Sequence, residues 1–376
     1  MSSAKSVSDY LPPLTPADVI ACQFSSWYPT FSKITFKATV IRALPSNFRE
    51  YLLSDGVTLP KGSENALQTS TLSDDELSGD EELSMSTEIS PIYEFPELDA
   101  KIREIIDEYT AVFPKLNWTS PQDASWVLVP SSPLKCTSPA DVYLLLKSSD
   151  FIIHDLEPER VFEGCGLDIQ ANVPSYELEL VLKKWYPVEG PREIRCFIRD
   201  GRLIALCQRD PNFFDFLNEP STFEQIRQTA LRFWTEKVKD TWTGSPNYVV
   251  DIYLTRDLSN AHIMDFNPYA QRTDPILFTY QELHEFYSSN AALMDPPGIT
   301  SPSQSQDLNK TTPSPIFRVI PSRAHVLAGR NIPRHAHNMM PREALEFSQG
   351  RTVAALQEVW KEEIKRAMEN DSESDG

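Results

Sequence analysis

The chain of 376 residues is 40% hydrophobic and 10% aromatic, enough for a large core in about one to three domains. Its net charge of −19 excludes the broad basic surface that general nucleic-acid or anionic-membrane binding requires, and favours a partner that is itself basic. Thirty prolines against 12 glycines point to stiff linkers rather than flexible hinges.

Residues 1–61 mix aromatic and β-branched side chains, and Lys33 to Ile41 (KITFKATVI) reads as a strand. Residues 1–19 have no continuous apolar stretch, so a signal peptide is not expected there. No window of the chain approaches the roughly 18 apolar residues of a membrane span. Trp27, Tyr28 and Phe31 fit either core or interface, with core preferred. From residue 62 to 91 the chain contains SDDELSGDEE and neither lysine nor arginine. Too few large apolar residues are present to offset chain ordering, so this insertion is expected to be disordered. Ser73 and Ser78 each precede an acid by three positions, as an acidophilic kinase requires, although a plain solvating loop has the same composition.

The next helix is expected over Glu97 to Val112, where Leu98, Ile102, Ile105, Ile106 and Tyr109 follow the 3.6-residue period. Another starts at Ser138-Pro139, cap followed by first-turn proline. Ser221-x-x-Glu224 reads as a capping box leading a helix with Phe223, Ile226, Ala230, Phe233 and Trp234 on one side. Strands lie between these helices, so the fold class is α+β. Cys22, Cys136, Cys165, Cys196 and Cys207 are an odd number without a CxxC pair. They read as reduced thiols in cytosol or nucleus, mostly small core residues.

Between Tyr176 and Asp210 a strand over Glu177 to Lys183 is interrupted by Lys183-Lys184-Trp185-Tyr186-Pro187. Two alternating runs then flank Asp200-Gly201, a two-residue hairpin signal. Counting back from Arg199 opposite Arg202 sets Arg195 opposite Leu206 and Glu193 opposite Gln208. Ile194, Cys196, Ile198, Leu203, Ala205 and Cys207 then share the buried face. Glu193, Arg195, Gln208 and Asp210 share the other, as either a solvated face or a site.

Tyr248 to Leu254 and Ala261 to Asn267 read as two strands joined by six residues. Asp251 is expected opposite or diagonal to Asp265, with Asn267 on the same side as Asp265. Two carboxylates and an amide are hard ligands of the kind Mg²⁺ takes, although a hydrogen-bonded pair at a strand end uses the same residues. Lys115, in the stretch Phe113 to Trp126, is either a surface lysine or a neutraliser of phosphate. Neither GxxxxGK[ST] nor GxGxxG occurs, which removes P-loop and Rossmann readings.

Asp295 to Pro315 reads as a linker, followed by an apolar patch at Ile316 to Ile320. A helix is expected from about Arg342 to Glu369, with Val353, Leu356, Trp360 and Ile364 in a stripe that docks on its own core or on a partner. His335 and His337 lie on one side of an extended segment without an acid or cysteine cluster, so zinc is not expected there.

Taken in order, CQFSSWYPTF (Cys22 to Phe31), FPKLNWTSP (Phe113 to Pro121), LKCTSPADVYLLLKSSDF (Leu134 to Phe151), EIRCFIRDGRLIALCQRD (Glu193 to Asp210) and MDFNPY (Met264 to Tyr269) resemble the cell division cycle protein 123 family. The resemblance covers about Pro16 to Met294 apart from the acidic insertion. It implies an ATP-grasp-like fold, two α+β lobes with ATP and Mg²⁺ between them. Residues 1–61 become the N-terminal part of the first lobe, 62–91 the insertion, 92–182 the rest of that lobe and 183–294 the second lobe with the Mg-ATP site. Residues 295–315 become the linker and 316–376 a C-terminal tail with a helix.

Carried over, Lys115 and Arg195 contact phosphates, while Lys184, Trp185 and Tyr186 border the adenine. Asp251, Asp265 and Asn267 hold Mg²⁺, and Asn117, Lys135, Cys136, Glu193 and Asp210 lie near the nucleotide. The family implies a cytoplasmic assembly factor for translation initiation factor 2. It binds the gamma subunit and promotes joining of the other two, supporting translation initiation and cell-cycle progression. Direct nucleic-acid or membrane binding is not implied, and the free protein is expected to be a monomer. The glycine-rich loop of ATP-grasp enzymes is replaced here by Asn117 to Trp126, which weighs against rapid phosphoryl transfer. The alternative is an ATP-dependent carboxylate–amine ligase, with Arg195 or Arg209 binding the acid.

Overall fold

The computed structural model describes residues 6–64, 92–128, 132–166, 174–294 and 314–325. The expectations for Ser73, Ser78, His335, His337 and the helix from Arg342 to Glu369 lie outside those residues. Among the described residues no helix is long and apolar enough to cross a membrane.

Helix α1 (Pro16–Ala21) is capped by Thr15 and Asp18, which satisfy each other's exposed backbone amides. Helix α2 (Phe24–Phe31) follows, then β1 (Ala38–Ile41) and α3 (Phe48–Leu53). The strand expected over Lys33 to Ile41 is thus confined to its last four residues, and the other regular elements of residues 6–61 are helices. Phe24, Trp27 and Phe31 recur at helical spacing, and burying all three on one face outweighs local β-propensity. Trp27 and Phe31 are core residues, with Tyr28 packed partly buried against them.

Helix α4 (Pro96–Tyr109) buries the stripe that its periodicity predicts. It stops three residues earlier than expected because Thr110 takes φ 72°, and Val112 enters β2 (Val112–Lys115) instead. Helix α5 (Pro139–Lys147) begins as predicted, with Ser138 and Asp141 forming a capping box. The short helices α6 (Ile153–Leu156) and α7 (Pro158–Val161) precede β3 (Leu180–Lys184). Strand β3 lies between β1 and β2, antiparallel to both. Leu180 and Leu182 pack into a core with α3, α4 and α5. Alternation turns Val181 and Lys183 the other way, toward the second sheet.

That second sheet contains β4 (Glu193–Arg199), β5 (Arg202–Gln208), β6 (Tyr248–Leu254), β7 (Ala261–Pro268) and β8 (Ile316–Arg318) in the order β7-β6-β4-β5-β8. Only β8 runs parallel to its neighbour, and it turns the predicted apolar patch inward, burying Phe317 and Ile320. One face packs on α1, α2 and α8 (Pro220–Phe233), the other on Tyr269, Phe278 and α9 (Tyr280–Met294). The start of α8 corrects the expected capping box: Pro220 already occupies the first turn, and Glu224 accepts hydrogen bonds from Arg227 and Gln228.

The β4–β5 register also differs from expectation. Asp200 and Gly201 form the turn with φ of 50° and 64°, and Arg199 faces Arg202 as predicted. Ile198 then pairs with Leu203 but Phe197 pairs with Ala205, leaving Ile204 as an extra bulge residue. Consequently Arg195 faces Cys207 rather than Leu206, and Ile194 rather than Glu193 faces Gln208. Ala205 and Cys207 join the opposite core face from Ile194, Cys196, Ile198 and Leu203, while Leu206 joins those four. Both faces of this sheet are buried. The apolar run Leu203 to Cys207 therefore does not specify which residue goes to which side, and a one-residue slip carries no hydrophobic penalty.

In the small lobe the Tyr143 hydroxyl donates to buried Asp99 Oδ1 at 2.5 Å. Burial raises the Asp99 carboxyl above its usual range, against that hydrogen bond and nearby Arg103. Its folded pKa exceeds its unfolded one, so ionisation costs stability, and the cost grows as pH rises through the carboxylate range. Asp99→Asn keeps an acceptor and removes the charge. It is expected to melt higher than wild type at pH 7, with the difference closing toward about pH 4 in thermal melts.

Candidate functional site

The charged groups gather where the small sheet meets β6 and β7. Asp251 lies in the middle of β6 opposite Arg195 on one side and Asp265 on the other. A second bulge, at Met264, shifts β7 by one residue beyond that pair, and Val249 faces Asn267. Asp265 and Asn267 therefore share a face with Asp251, as the sequence predicts. Arg195 closes on Asp251 through two parallel bonds, Nε to Oδ1 at 2.8 Å and Nη2 to Oδ2 at 2.7 Å. The two side chains are only 8% and 4% exposed. Arg209 Nε stands 3.4 Å from the same carboxylate while its Nη1 meets Glu193 Oε2 at 2.8 Å. Asn267 Nδ2 donates to Asp251 Oδ2 at 3.4 Å.

Lys115 ends β2 and reaches across the seam to Asp265 Oδ2 at 2.5 Å, its second acceptor being the Trp118 carbonyl. Lys183 Nζ donates to the Met264 carbonyl at 2.9 Å. Two like-charged carboxylates facing each other are thereby compensated by arginine and lysine. Burial works against ionising Asp251, but Arg195 and then Arg209 more than reverse it and hold the carboxyl below its usual range. The Arg195 guanidinium is likewise opposed by burial and pushed up by Asp251. Lys183 has no such partner, and burial brings its ammonium down to about 8 despite Asp265.

Beside this cluster Trp185 and Tyr186 follow β3. The Trp185 amide donates to the Ala111 carbonyl at 2.9 Å and its Nε1 to the Pro133 carbonyl at 3.2 Å, with Lys135 Nζ 5.2 Å from the ring centre. Lys184 lies 5.9 Å over Tyr186, and Phe36 packs at 5.2 Å from Tyr186 and 5.8 Å from Tyr253. Phe36 and Lys183 extend this aromatic shelf to the charged seam at 5.9 Å from each other. The sequence reading passed over both, although Lys183 is two residues past Val181 and alternation alone puts it on the inward face.

Other predicted residues stand elsewhere. Asn117 is fully buried, and its amide clamps the approach to β3 through the Glu177 carbonyl and the Glu179 amide. Cys136 is in the small-lobe core, its backbone paired to Val112 and its thiol pushed up by burial. All five cysteines are free and buried. The bulge at Ile204 removes Gln208 and Asp210 from the Arg195 face. Gln208 instead accepts from the Ile320 amide, and Asp210 packs against Gly190, where a Cβ would stand 1.8 Å from its Oδ2. Glu193 remains in the cluster.

Among the described residues no three His, Cys, Asp or Glu side chains are arranged to hold a metal. In kind, the donors fit Mg²⁺: two carboxylates and an amide oxygen on one face, with Asp265 reachable at 21% side-chain exposure. The seam also fits a polyanion. Lys115, Lys183, Arg195 and Arg209 make four cations against the three carboxylates Asp251, Asp265 and Glu193.

Two α+β lobes meet on this charged seam, in the fold class that the sequence predicts. A family model described as D123 matches residues 27–348. A translation initiation factor eIF2 assembly protein of Vanderwaltozyma polyspora is 33% identical, covering 98% of each chain. A cell division cycle protein 123 of Candida glabrata is 36% identical over 72% of this chain and 77% of that one. The solved structure of Cdc123 from Schizosaccharomyces pombe matches with TM-score 0.60 at 33% identity, covering 83% of this chain and 100% of that one. The chain belongs to the D123 family, the cell division cycle protein 123 family that its sequence resembles.

Breaking the central pair leaves a buried charge without its main partner. Arg195→Met is expected to lose about 3–5 kcal/mol in urea denaturation, and adding Asp251→Asn to recover much of that loss. Equal instability of the single and double variants would contradict a charge-compensating role.

Proposed function

We propose that this protein binds Mg-ATP in the seam between its lobes and acts as an assembly factor for translation initiation factor 2, engaging the gamma subunit in the cytoplasm. The observation that carries the nucleotide reading is the cation surplus beside an aromatic shelf. Lys115, Lys183 and the two arginines suit phosphates, and Trp185, Tyr186 and Phe36 suit a base. Bound Mg²⁺ would neutralise phosphate oxygens, held by Asp251, Asp265 and Asn267. Lys115 would then exchange its bond to Asp265 for one to phosphate.

The assembly reading is supported by the names of the relatives and by the charge of −19, which speeds encounter with basic surface. ATP serves here as a held ligand rather than a consumed one. The segment replacing the glycine-rich loop is pinned, because Asp155 Oδ2 accepts from the Trp118 and Thr119 amides at 2.7 and 3.0 Å. Asp123 likewise ties the segment to Ser149, Asp150 and Phe151. Such a segment is poorly suited to close over a transferring phosphoryl group.

Calorimetric titration with Mg-ATP tests the nucleotide half. Asp265→Ala is expected to weaken binding at least about tenfold, and equal affinity would remove the site. For the assembly half, Asp251→Ala with Asp265→Ala is expected to reduce joining of the initiation-factor subunits on a co-purified gamma subunit. Undiminished joining would detach ATP from assembly.

A further inference from the structure

We propose that a cavity beside the end of β7, apart from the charged seam, is a binding site for a small organic acid whose carboxylate is held by Arg272. The proposal is independent of the nucleotide reading.

The cavity has a volume of about 640 Å³, within the range of roughly 300–1,000 Å³ that small-molecule sites occupy. Its walls come from three stretches: Ser8 and Leu11 to Leu14 before α1, Glu163 and Gly164 after α7, and Tyr269 to Arg272 after β7. None of Lys115, Lys183, Arg195, Arg209, Asp251 and Asp265 lines it. Leu11 packs in the core that contains Tyr269, and Leu14 in the one that contains Val161, Phe162 and Cys165, which anchors the apolar wall at both ends.

Arg272 has one guanidinium nitrogen committed and two uncommitted. Its Nη1 donates to the Val161 carbonyl, to the Arg160 carbonyl at 3.5 Å and to His154 Nε2 at 3.3 Å. Arginine is always the donor, so His154 carries its proton on Nδ1 and donates it to Asp155 Oδ1 at 2.7 Å. Those bonds fix the guanidinium before a ligand arrives. Nε and Nη2 have no acceptor among the described residues and are not sealed in the core. That is the edge with which Arg195 grips both oxygens of Asp251. In Arg272 the same planar fork stands open in a cavity wall.

The charge balance points the same way. Among the described residues no carboxylate forms an ion pair with Arg272. Burial lowers its guanidinium from the ordinary arginine value, and the Cys165 and Cys22 thiols, Asp155 and Glu163 oppose this without cancelling it. A partly desolvated cation without its own acid gains most from an anion that enters beside it. The two adjacent donors match the two oxygens of a carboxylate. Glu163, exposed on the wall, opposes a second negative charge and so favours a monocarboxylate over a phosphate group. Leu11, Pro12, Pro13, Leu14 and Ala270 offer apolar surface to the carbon chain of the acid.

The test titrates sodium 4-methylpentanoate, neutral 4-methylpentanamide and inorganic phosphate into the full chain at constant ionic strength. Binding is read from the backbone amide NMR signals of Gly164, Ala270 and Gln271, with a thermal melt of every variant. The acid is expected to shift those signals saturably, and the amide and phosphate to bind at least about tenfold more weakly. Arg272→Lys keeps the charge without the fork and is expected to raise the Kd of the acid about tenfold. Glu163→Gln removes an opposing charge and is expected to lower it about threefold. Ser8→Trp, at an exposed lining position, is expected to abolish binding by filling the cavity while melting close to wild type. Amide or phosphate binding as tightly as the acid overturns the proposal. So does an unchanged Kd in both Arg272→Lys and Ser8→Trp, and so do unshifted wild-type signals at about 50 mM acid.

Discussion

The pairing of Asp251 with Arg195 is the constraint around which the second lobe is organised. A carboxylate in the middle of β6, with apolar neighbours along its strand, cannot remain ionised there unless a cation lies within bonding distance. Arg195 satisfies it from the adjacent strand in bidentate geometry, and the loop after β7 supplies the third acceptor that keeps the guanidinium in place. The pair thus ties β4, β6 and the 269–278 loop to one another. It stands where the packed core of Phe197, Val249 and Phe278 gives way to the charged seam.

From that pair the rest of the seam follows by alternation. Asp265 faces Asp251 across β6 and β7, and its charge is met from the first lobe by Lys115. Lys183 adds a second lysine from the same lobe, held by a backbone carbonyl rather than an acid. The lobes are therefore joined at this seam by polar side-chain contacts. Elsewhere Trp27, Phe31, Trp242 and Phe266 bind α2 to the second sheet through rings 4.3 to 5.3 Å apart. Charged contacts at the seam and aromatic packing behind it thus come from different residues.

The sequence made some of this legible and hid the rest for identifiable reasons. The stripe of α4, the cap at Ser138, the Asp200-Gly201 turn and the juxtaposition of Asp251 with Asp265 and Asn267 all follow from local periodicity or turn chemistry. Those signals lie within a few residues of what they predict. The Ile204 bulge was not legible, because a strand buried on both faces has no polar side to fix its register. That single extra residue exchanged Gln208 and Asp210 for Arg209. Lys183 was obscured differently: alternation from Val181 turns it inward, but it opens the Lys183-Lys184 run that reads as an interruption of the strand, whereas β3 continues through Lys184. Of the residues that the family resemblance implies, Lys115, Arg195, Asp251, Asp265 and Asn267 come together at the charged seam, while Asn117 and Cys136 are packed inside the first lobe.

The central claim is that the charged seam between the lobes is an anion seat, and hydrogen exchange measured with and without Mg-ATP addresses it most directly. The account predicts slowed exchange concentrated in residues 112–119, 181–186, 193–195 and 263–267, the strands and turns whose cations and carboxylates converge there. Unchanged exchange across those segments at saturating Mg-ATP, or protection confined to surfaces away from them, would contradict it.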